Sequence, residues 1–294
     1  MKGVLSTLTG FFQKKGSGAQ TSEAYRSRVE MAIQEACVHF GPPSPVCEAC
    51  VYTLKSGGKR FRPTIVLMVA DALKSKNTTV PAALAIEYFH TASLVADDLP
   101  CMDDDDVRRN QPSTHKKYGE SIALLASYAL IAEGYRKIAE NIALANLTNR
   151  LAAILLECAS INTGLYGATG GQFLDIQPPN LSLETLRDII HKKTVSLFEI
   201  AFVFGWLFGG GSLEKLPHVK KLASHFGCAF QIADDIEDVE ADALSGRRVN
   251  VAGVFGVEKA QQLLKEEAQG YLKMLATLGI ESTPLKNLIN PFNP

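Results

Sequence analysis

Ten residues, Asp97-Asp98-Leu99-Pro100-Cys101-Met102-Asp103-Asp104-Asp105-Asp106, hold six carboxylates and run into Val107-Arg108-Arg109. Like charges at that density repel, and such a run is usually a solvated face. Two details argue otherwise here. Asp97 and Asp98 close an apolar stretch, 82–96, instead of lying in a polar linker, and the arginines set anion-binding groups beside cation-binding ones. A second cluster, Asp234-Asp235-Ile236-Glu237-Asp238, follows the apolar Phe230-Gln231-Ile232-Ala233. Asp234 and Asp238, at i and i+4, share one helix face. Half-buried carboxylates must be paired or hold a metal. Donors that are all oxygen suit a hard cation, and Mg²⁺ bridging a substrate diphosphate is the natural case. Asp97 and Asp103 are six apart and would diverge on a continuous helix. Pro100 predicts that the helix ends just after Asp98, letting the chain bring Asp103 back toward the same ion.

Basic groups answer these acids. In Gly57-Gly58-Lys59-Arg60-Phe61-Arg62-Pro63 a glycine turn meets the start of a helix. Glycine lets backbone approach an anion closely, and a helix start adds free N–H groups. Lys59 and Arg62, three apart, are able to face one phosphate. His90 lies seven residues, two turns, before Asp97, where it could donate to an anion. Lys192-Lys193-Thr194 brings a cation and a hydroxyl to the edge of the apolar run 195–208.

The elements that carry these groups read as helices. Leu151, Leu155 and Cys158 recur at helical spacing, as do Leu264, Tyr271, Leu275 and Leu278, while strand-like alternation is nearly absent. Turns are marked at 41–43, 56–58, 178–180, 209–211 and 243–246. No 20–50-residue repeat or long linker divides the 294 residues, so the fold class is all-α: one antiparallel helix bundle over 23–294, behind a leader at 1–22. That leader, with three lysines and no acid, reads as floppy, an organelle transit peptide being the weaker alternative. A net charge of −1 excludes a global attraction to nucleic acid or anionic membranes. The longest apolar run contains Glu199 and is too short to span a bilayer. Six scattered cysteines, among them a lone Cys47-x-x-Cys50, make no disulfide framework or zinc site and fit a reducing, cytoplasmic setting.

Taken together, G-G-K-R-x-R-P at 57–63, D-D-x-x-x-x-D with R-R at 97–109, G-Q-x-x-D at 171–175, K-T at 193–194 and F-Q-x-x-D-D-x-x-D at 230–238 resemble the polyprenyl diphosphate synthase family, in particular its short-chain farnesyl and geranylgeranyl members. The resemblance implies a helix bundle around a deep cavity, usually in a homodimer. It implies that Asp97, Asp98, Asp103 and Asp234 bind three Mg²⁺ per site on an allylic diphosphate, with Asp238 supporting. Arg108, Lys193, Thr194, Gln231 and Arg248 would hold that diphosphate, Lys193, Thr194 and Gln231 acting nearest the chemistry. Gly58, Lys59, Arg62, His90 and Arg109 would hold isopentenyl diphosphate, and Thr194 and Gln172 would line the cavity near a developing cation. The reaction implied is ionisation, condensation and loss of a proton, which the departing diphosphate would take. Two departures stand out: Ala96 replaces a histidine common in the family, and 245–252 is shorter than the family's loop and lacks its T-Y-P-like turn, so Arg248 is expected to replace a lysine.

Product length follows from the helix leading into Asp97. Ser93 and Ala92, four and five residues before it, lie about 6 Å below. Both are small where bulky aromatics stop many family members at fifteen carbons, and Phe89 and Tyr88 are expected as a floor one turn further down. A C20 product is expected ahead of C15. A class I terpene cyclase would carry Asn, Ser or Thr in its second metal motif and would not need G-G-K-R. A regulatory subunit would lack one or both aspartate clusters.

Overall fold

The computed structural model describes residues 17–245 and 247–292; residues 1–16 of the expected leader lie outside them. Its first helix, α1 (Ser17–Val38), starts inside the expected leader. The long helices that follow are α2 (Pro45–Lys55), α3 (Phe61–Ala72), α4 (Val80–Asp97), α5 (Glu120–Leu144), α6 (Asn149–Thr163), α7 (Ala168–Ile176), α8 (Leu183–Ile190), α9 (Ser196–Phe208), α10 (Leu216–Glu237) and α11 (Val257–Leu278). Sequence chemistry sets several of these limits. Ser44 caps α2 through Cys47 N–H, with Pro45 at its first position, and Thr148 and Ser182 cap α6 and α8. The all-α expectation holds: among the described residues the only ladder is a two-residue antiparallel pair, β1 (Val107–Arg108) with β2 (Gln111–Pro112). The turn expected at 243–246 is instead, at 243–245, the end of a short helix, Val239–Ser245.

Helix α9 is the axis. Every residue from Ser196 to Phe208 except Glu199 is buried, as a helix apolar on all sides must be. It packs against α3, α4, α6 and α10, while α4 lies along α5 and α10 along α11. Phe226 of α10 joins the layers through ring contacts with Phe198 (4.9 Å), Phe202 (5.8 Å) and Tyr271 of α11 (5.5 Å). Truncating such a ring to alanine costs about 3–5 kcal/mol. The periodic residues Leu155, Cys158, Leu264, Tyr271, Leu275 and Leu278 all face this core.

One face stays apolar and open. Leu124, Leu125 and Tyr128 on α5, Leu156 and Ile161 on α6, and Leu165 and Tyr166 in the turn beyond are exposed, Tyr166 by 81%. The span 149–176 is also long and apolar enough, by length and composition alone, to cross a membrane. It breaks between α6 and α7.

Candidate active site

Helix α4 ends at Asp97, and Pro100 opens the turn that follows. The N–H of Asp103 donates to the Asp97 carbonyl (2.9 Å) and that of Met102 to Leu99 (2.8 Å), so Asp103 returns beside Asp97 as Pro100 predicts. Burial first, then the Asp103 charge, pushes the Asp97 carboxyl up to about 7, with Lys193 pulling the other way. Asp98 does not join them. It is 2% exposed and accepts from Arg108 Nε (2.8 Å) and Nη2, while Asp105 takes a second contact from the same guanidinium (2.7 Å). The expected metal ligand Asp98 and the expected diphosphate ligand Arg108 therefore neutralise each other. Successive residues at a helix end point about 100° apart, so Asp97 and Asp98 cannot both face the cavity.

Arg109 and Asn110, both at positive φ, form the tip between β1 and β2. The tip sends Arg109 onto the glycine turn, where Nη1 donates to the Gly57 carbonyl. Gly58 has φ +128°, and a Cβ there would meet Arg109 Cζ at 2.5 Å, so only glycine fits. Arg60 also has positive φ and is fully buried. It holds Glu30 (2.9 Å), Glu87 and the Leu54 carbonyl (2.6 Å), which pins the turn to α1, α2 and α4. That leaves Lys59, Arg62, His90 and Arg109 grouped with few acids. Arg62 stacks on Phe198 (4.3 Å), contacts His90 Nε2 (3.3 Å), and its buried Nε has no partner. Burial drives the Arg62 guanidinium down to about 10 and, helped by Arg62 and Arg109, holds His90 far below its usual range. Burial also lowers Lys59, though Asp234, Glu237 and Asp238 oppose it. Arg62 and Arg109 make no ion pair among the described residues, and partly buried cations in that state are costly until an anion arrives.

Between α8 and α9 the chain makes one π-helical turn, His191–Val195, which the sequence pattern did not reveal. A Cβ on Gly171 would lie 2.3 Å from the Lys193 backbone nitrogen, so α7 sits directly on this turn. Lys193 pairs with Asp175, which Arg247 also reaches (3.3 Å). Thr194 Oγ1 donates to Gln231 Oε1 (2.7 Å), and Gln231 Nε2 donates to Asp235 (2.9 Å). Asp235 in turn accepts from Val251 N–H (2.8 Å), and Asn250 donates to its carbonyl (2.9 Å), bolting the short loop to α10. Asp234 is left over. Burial pushes it up to about 7, and Lys59 is the main cation opposing the shift. Asp238 caps α10, its N–H donating to the Asp234 carbonyl (2.9 Å).

The loop expectation needs one correction. Arg247, not Arg248, lines the small pocket with Asp175, Lys193, Thr194, Gln231 and Asn250.

A larger cavity of about 340 Å³ opens at Asp97 and Lys193. Ala92, Ser93, Phe89 and Gln172 all line it, as expected. Both polar atoms of the Gln172 side chain are buried without partners, a vacancy that suits a polar or charged ligand group. Tyr88 is not part of the floor. It turns into the core against Phe40 (5.7 Å). Lys193 borders both cavities and so links the anion pocket to the apolar one.

Outside these pockets, Asp104, Asp106 and His115 bring ligand atoms within 4.8 Å of one another, and Lys116 already neutralises Asp106 (2.8 Å). Asp97 with Asp103, and Asp234 with Asp238, offer carboxylate oxygens alone. Crowded, and with the Asp97 and Asp234 carboxyls raised by burial, they fit a hard divalent cation such as Mg²⁺. Sequence reasoning missed the bolting role of Asp235 and Asn250, and the pairing of Asp175 with Lys193 and Arg247. The Asn250 cap on Val251–Phe255 was the one local signal for the former.

Residues 43–249 match the family described as polyprenyl synthetase. The chain is 35% identical over 254 residues to the "Heterodimeric geranylgeranyl pyrophosphate synthase large subunit 2" of Arabidopsis thaliana, covering 81% of this chain and 66% of that one. It is 37% identical over 211 residues to the farnesyl diphosphate synthase of Bacillus subtilis, covering 70% and 71%. Among solved structures, a geranyltranstransferase from Thermotoga maritima superposes with TM-score 0.77 at 30% identity, over 91% of this chain and 96% of that one. A geranyltransferase from Legionella pneumophila gives 0.81 at 26%, over 93% and 97%.

Proposed function

The chain belongs to the polyprenyl synthetase family, and from that premise we propose that it is a short-chain trans-prenyl diphosphate synthase that condenses isopentenyl diphosphate with allylic diphosphates, geranylgeranyl diphosphate being the main product. The observation that carries this reading is the cluster of Arg62, His90 and Arg109, which makes no ion pair among the described residues, together with an apolar cavity that opens at Asp97. A molecule with a diphosphate head and a hydrocarbon tail satisfies both at once.

Isopentenyl diphosphate would lie on Lys59, Arg62, His90 and Arg109, whose pre-set positions spare the cost of ordering them on binding. The allylic diphosphate would lie on Lys193, Thr194, Gln231 and Arg247, with its tail in the cavity past Ala92 and Ser93. Asp97, Asp103, Asp234 and Asp238 would hold Mg²⁺, three ions per site. When bound, Mg²⁺ supplies positive charge against the leaving diphosphate. Lys193 and Arg247 stabilise the same charge once Asp175 gives them up. Thr194 Oγ and the unpartnered Gln172 lie nearest the carbon that becomes cationic. The proton lost at the end goes to the departing diphosphate, since the pocket's raised carboxylates, Asp97 and Asp234, would be taken up by the metal.

The open apolar face on α5 and α6 supports a homodimer, because a second copy would cover Tyr128, Leu165 and Tyr166. All six cysteines are free thiols, which supports a reducing, cytoplasmic location. Residues 23–294 are proposed to form one prenyltransferase domain. The test supplies purified protein with Mg²⁺, radiolabelled isopentenyl diphosphate and C5, C10 or C15 allylic starters. Extension to C20 is expected. Arrest at C15 keeps the enzyme and removes the length reading, and no incorporation with any starter leaves a regulatory subunit.

A further inference from the structure

We infer that Gly134, on the helix opposite the floor residue, fixes the depth of the apolar cavity by giving the Phe89 ring a place to lie outside it, and so is a positioning residue for product length. The inference rests on the proposed synthase activity. Phe89 sits eight residues before Asp97, about 12 Å down α4. Phe89 lines the cavity, and its ring presents the Cδ1–Cε1–Cζ edge to α5. A Cβ built on Gly134 would fall 2.5 Å from Phe89 Cε1 and 2.9 Å from both Cδ1 and Cζ. Carbon atoms in contact sit about 3.5–4.0 Å apart, so the ring would have to move by about 1 Å or more.

The surroundings leave it one direction. Tyr135 blocks the ring edge-on at 5.2 Å, and its hydroxyl is held by Thr163 (3.3 Å). The helices cannot spread easily, because α4 and α5 are stitched on both sides of Gly134. Seven residues before it, Ser127 donates to the Ala92 carbonyl (3.0 Å). Seven residues after it, Asn141 accepts from Ala82 N–H (2.9 Å) and donates to the Thr78 carbonyl (3.0 Å). The cavity is the open side. Any side chain at 134 therefore swings Phe89 across the path of the growing tail, although residue 134 touches no substrate itself.

The experiment compares purified full-length wild type, Gly134→Ala, Phe89→Leu and the Gly134→Ala/Phe89→Leu double variant. Products from each allylic starter are separated by chain length, and melting temperatures are measured alongside. Gly134→Ala is expected to raise the ratio of C15 to C20 product by about tenfold or more, the usual scale for losing hydrocarbon room in an apolar pocket. Phe89→Leu alone should move products toward or beyond C20, and the double variant should lose the shortening. A Gly134→Ala enzyme with the wild-type product spectrum overturns the inference, and so does a double variant that stays short. Should Gly134→Ala fail to fold, Phe89→Leu decides, and no lengthening in it overturns the inference. A wild type that makes no prenyl product at all instead refutes the functional reading beneath it.

Discussion

Around Arg62, His90 and Arg109 the protein gathers basic groups that make no ion pair among the described residues, whereas around Asp97 and Asp234 it crowds acids against one another. The first half is rigid: Arg60 is locked by Glu30, Glu87 and Leu54, and Arg62 is stacked on Phe198. The second half is provisional. Lys193 and Arg247 are parked on Asp175, so these cations must be released to act. One substrate thus meets a finished site, while the other meets a site completed only when metal neutralises the carboxylates. The difference suits the chemistry, because the allylic diphosphate ionises and only its site needs charge held in reserve until all parts are present.

The sharpest way to break this contrast is Asp97→Ala. It should lower kcat about a thousandfold or more, since the ion-holding half fails as a unit. Normal turnover in a product assay would remove the metal assignment. Next in size, Arg62→Ala should raise KM for isopentenyl diphosphate roughly 30- to 150-fold, the scale of a charged hydrogen bond worth about 2–3 kcal/mol. Its dependence on Mg²⁺ should stay as in wild type; a changed dependence would mean that the two halves are not separate. Smaller again, Arg247→Ala should cost about tenfold in kcat while Arg248→Ala stays within about twofold, and the reverse order would restore the expectation from sequence.

Acidity gives the last comparison. With Asp97 and Asp234 at about 7 in the metal-free protein, protons compete with the cation below that pH. The Mg²⁺ concentration for half-maximal activity should therefore rise as pH falls from 7, up to about tenfold per unit for each carboxylate. The sign for folding is opposite. A carboxyl raised above its unfolded value of 3.8 favours the metal-free fold below that value, and the advantage is lost as pH climbs to about 7. An Mg²⁺ requirement flat from pH 8 to 6 would show that these carboxylates do not hold the ion.

Much of the layout was legible from residue spacing. Pro100 gave away the return of Asp103, and the apolar residues 82–96 and 195–208 marked two buried helices. Spacing could not say which of two neighbours turns inward. Asp97 against Asp98 and Phe89 against Tyr88 are each decided by one residue of rotation, and Arg247 against Arg248 by the path of a loop. That rotation depends on packing partners far away in the chain, such as Phe40 for Tyr88. The parked ion pairs were equally hidden, since Asp175 and Arg247 lie 72 residues apart.

The π turn at His191–Val195 also constrains how this sequence can drift. Its wide loop, closed by Ser196 N–H on the His191 carbonyl, accommodates one residue more than an α-helix would. Removing any one of the five would restore regular winding and rotate Lys193 and Thr194 by about 100° relative to α9. Side chains in this stretch can be exchanged, but its length cannot. Insertions and deletions among working relatives should therefore collect elsewhere, and a one-residue deletion here should silence the enzyme while leaving the bundle folded.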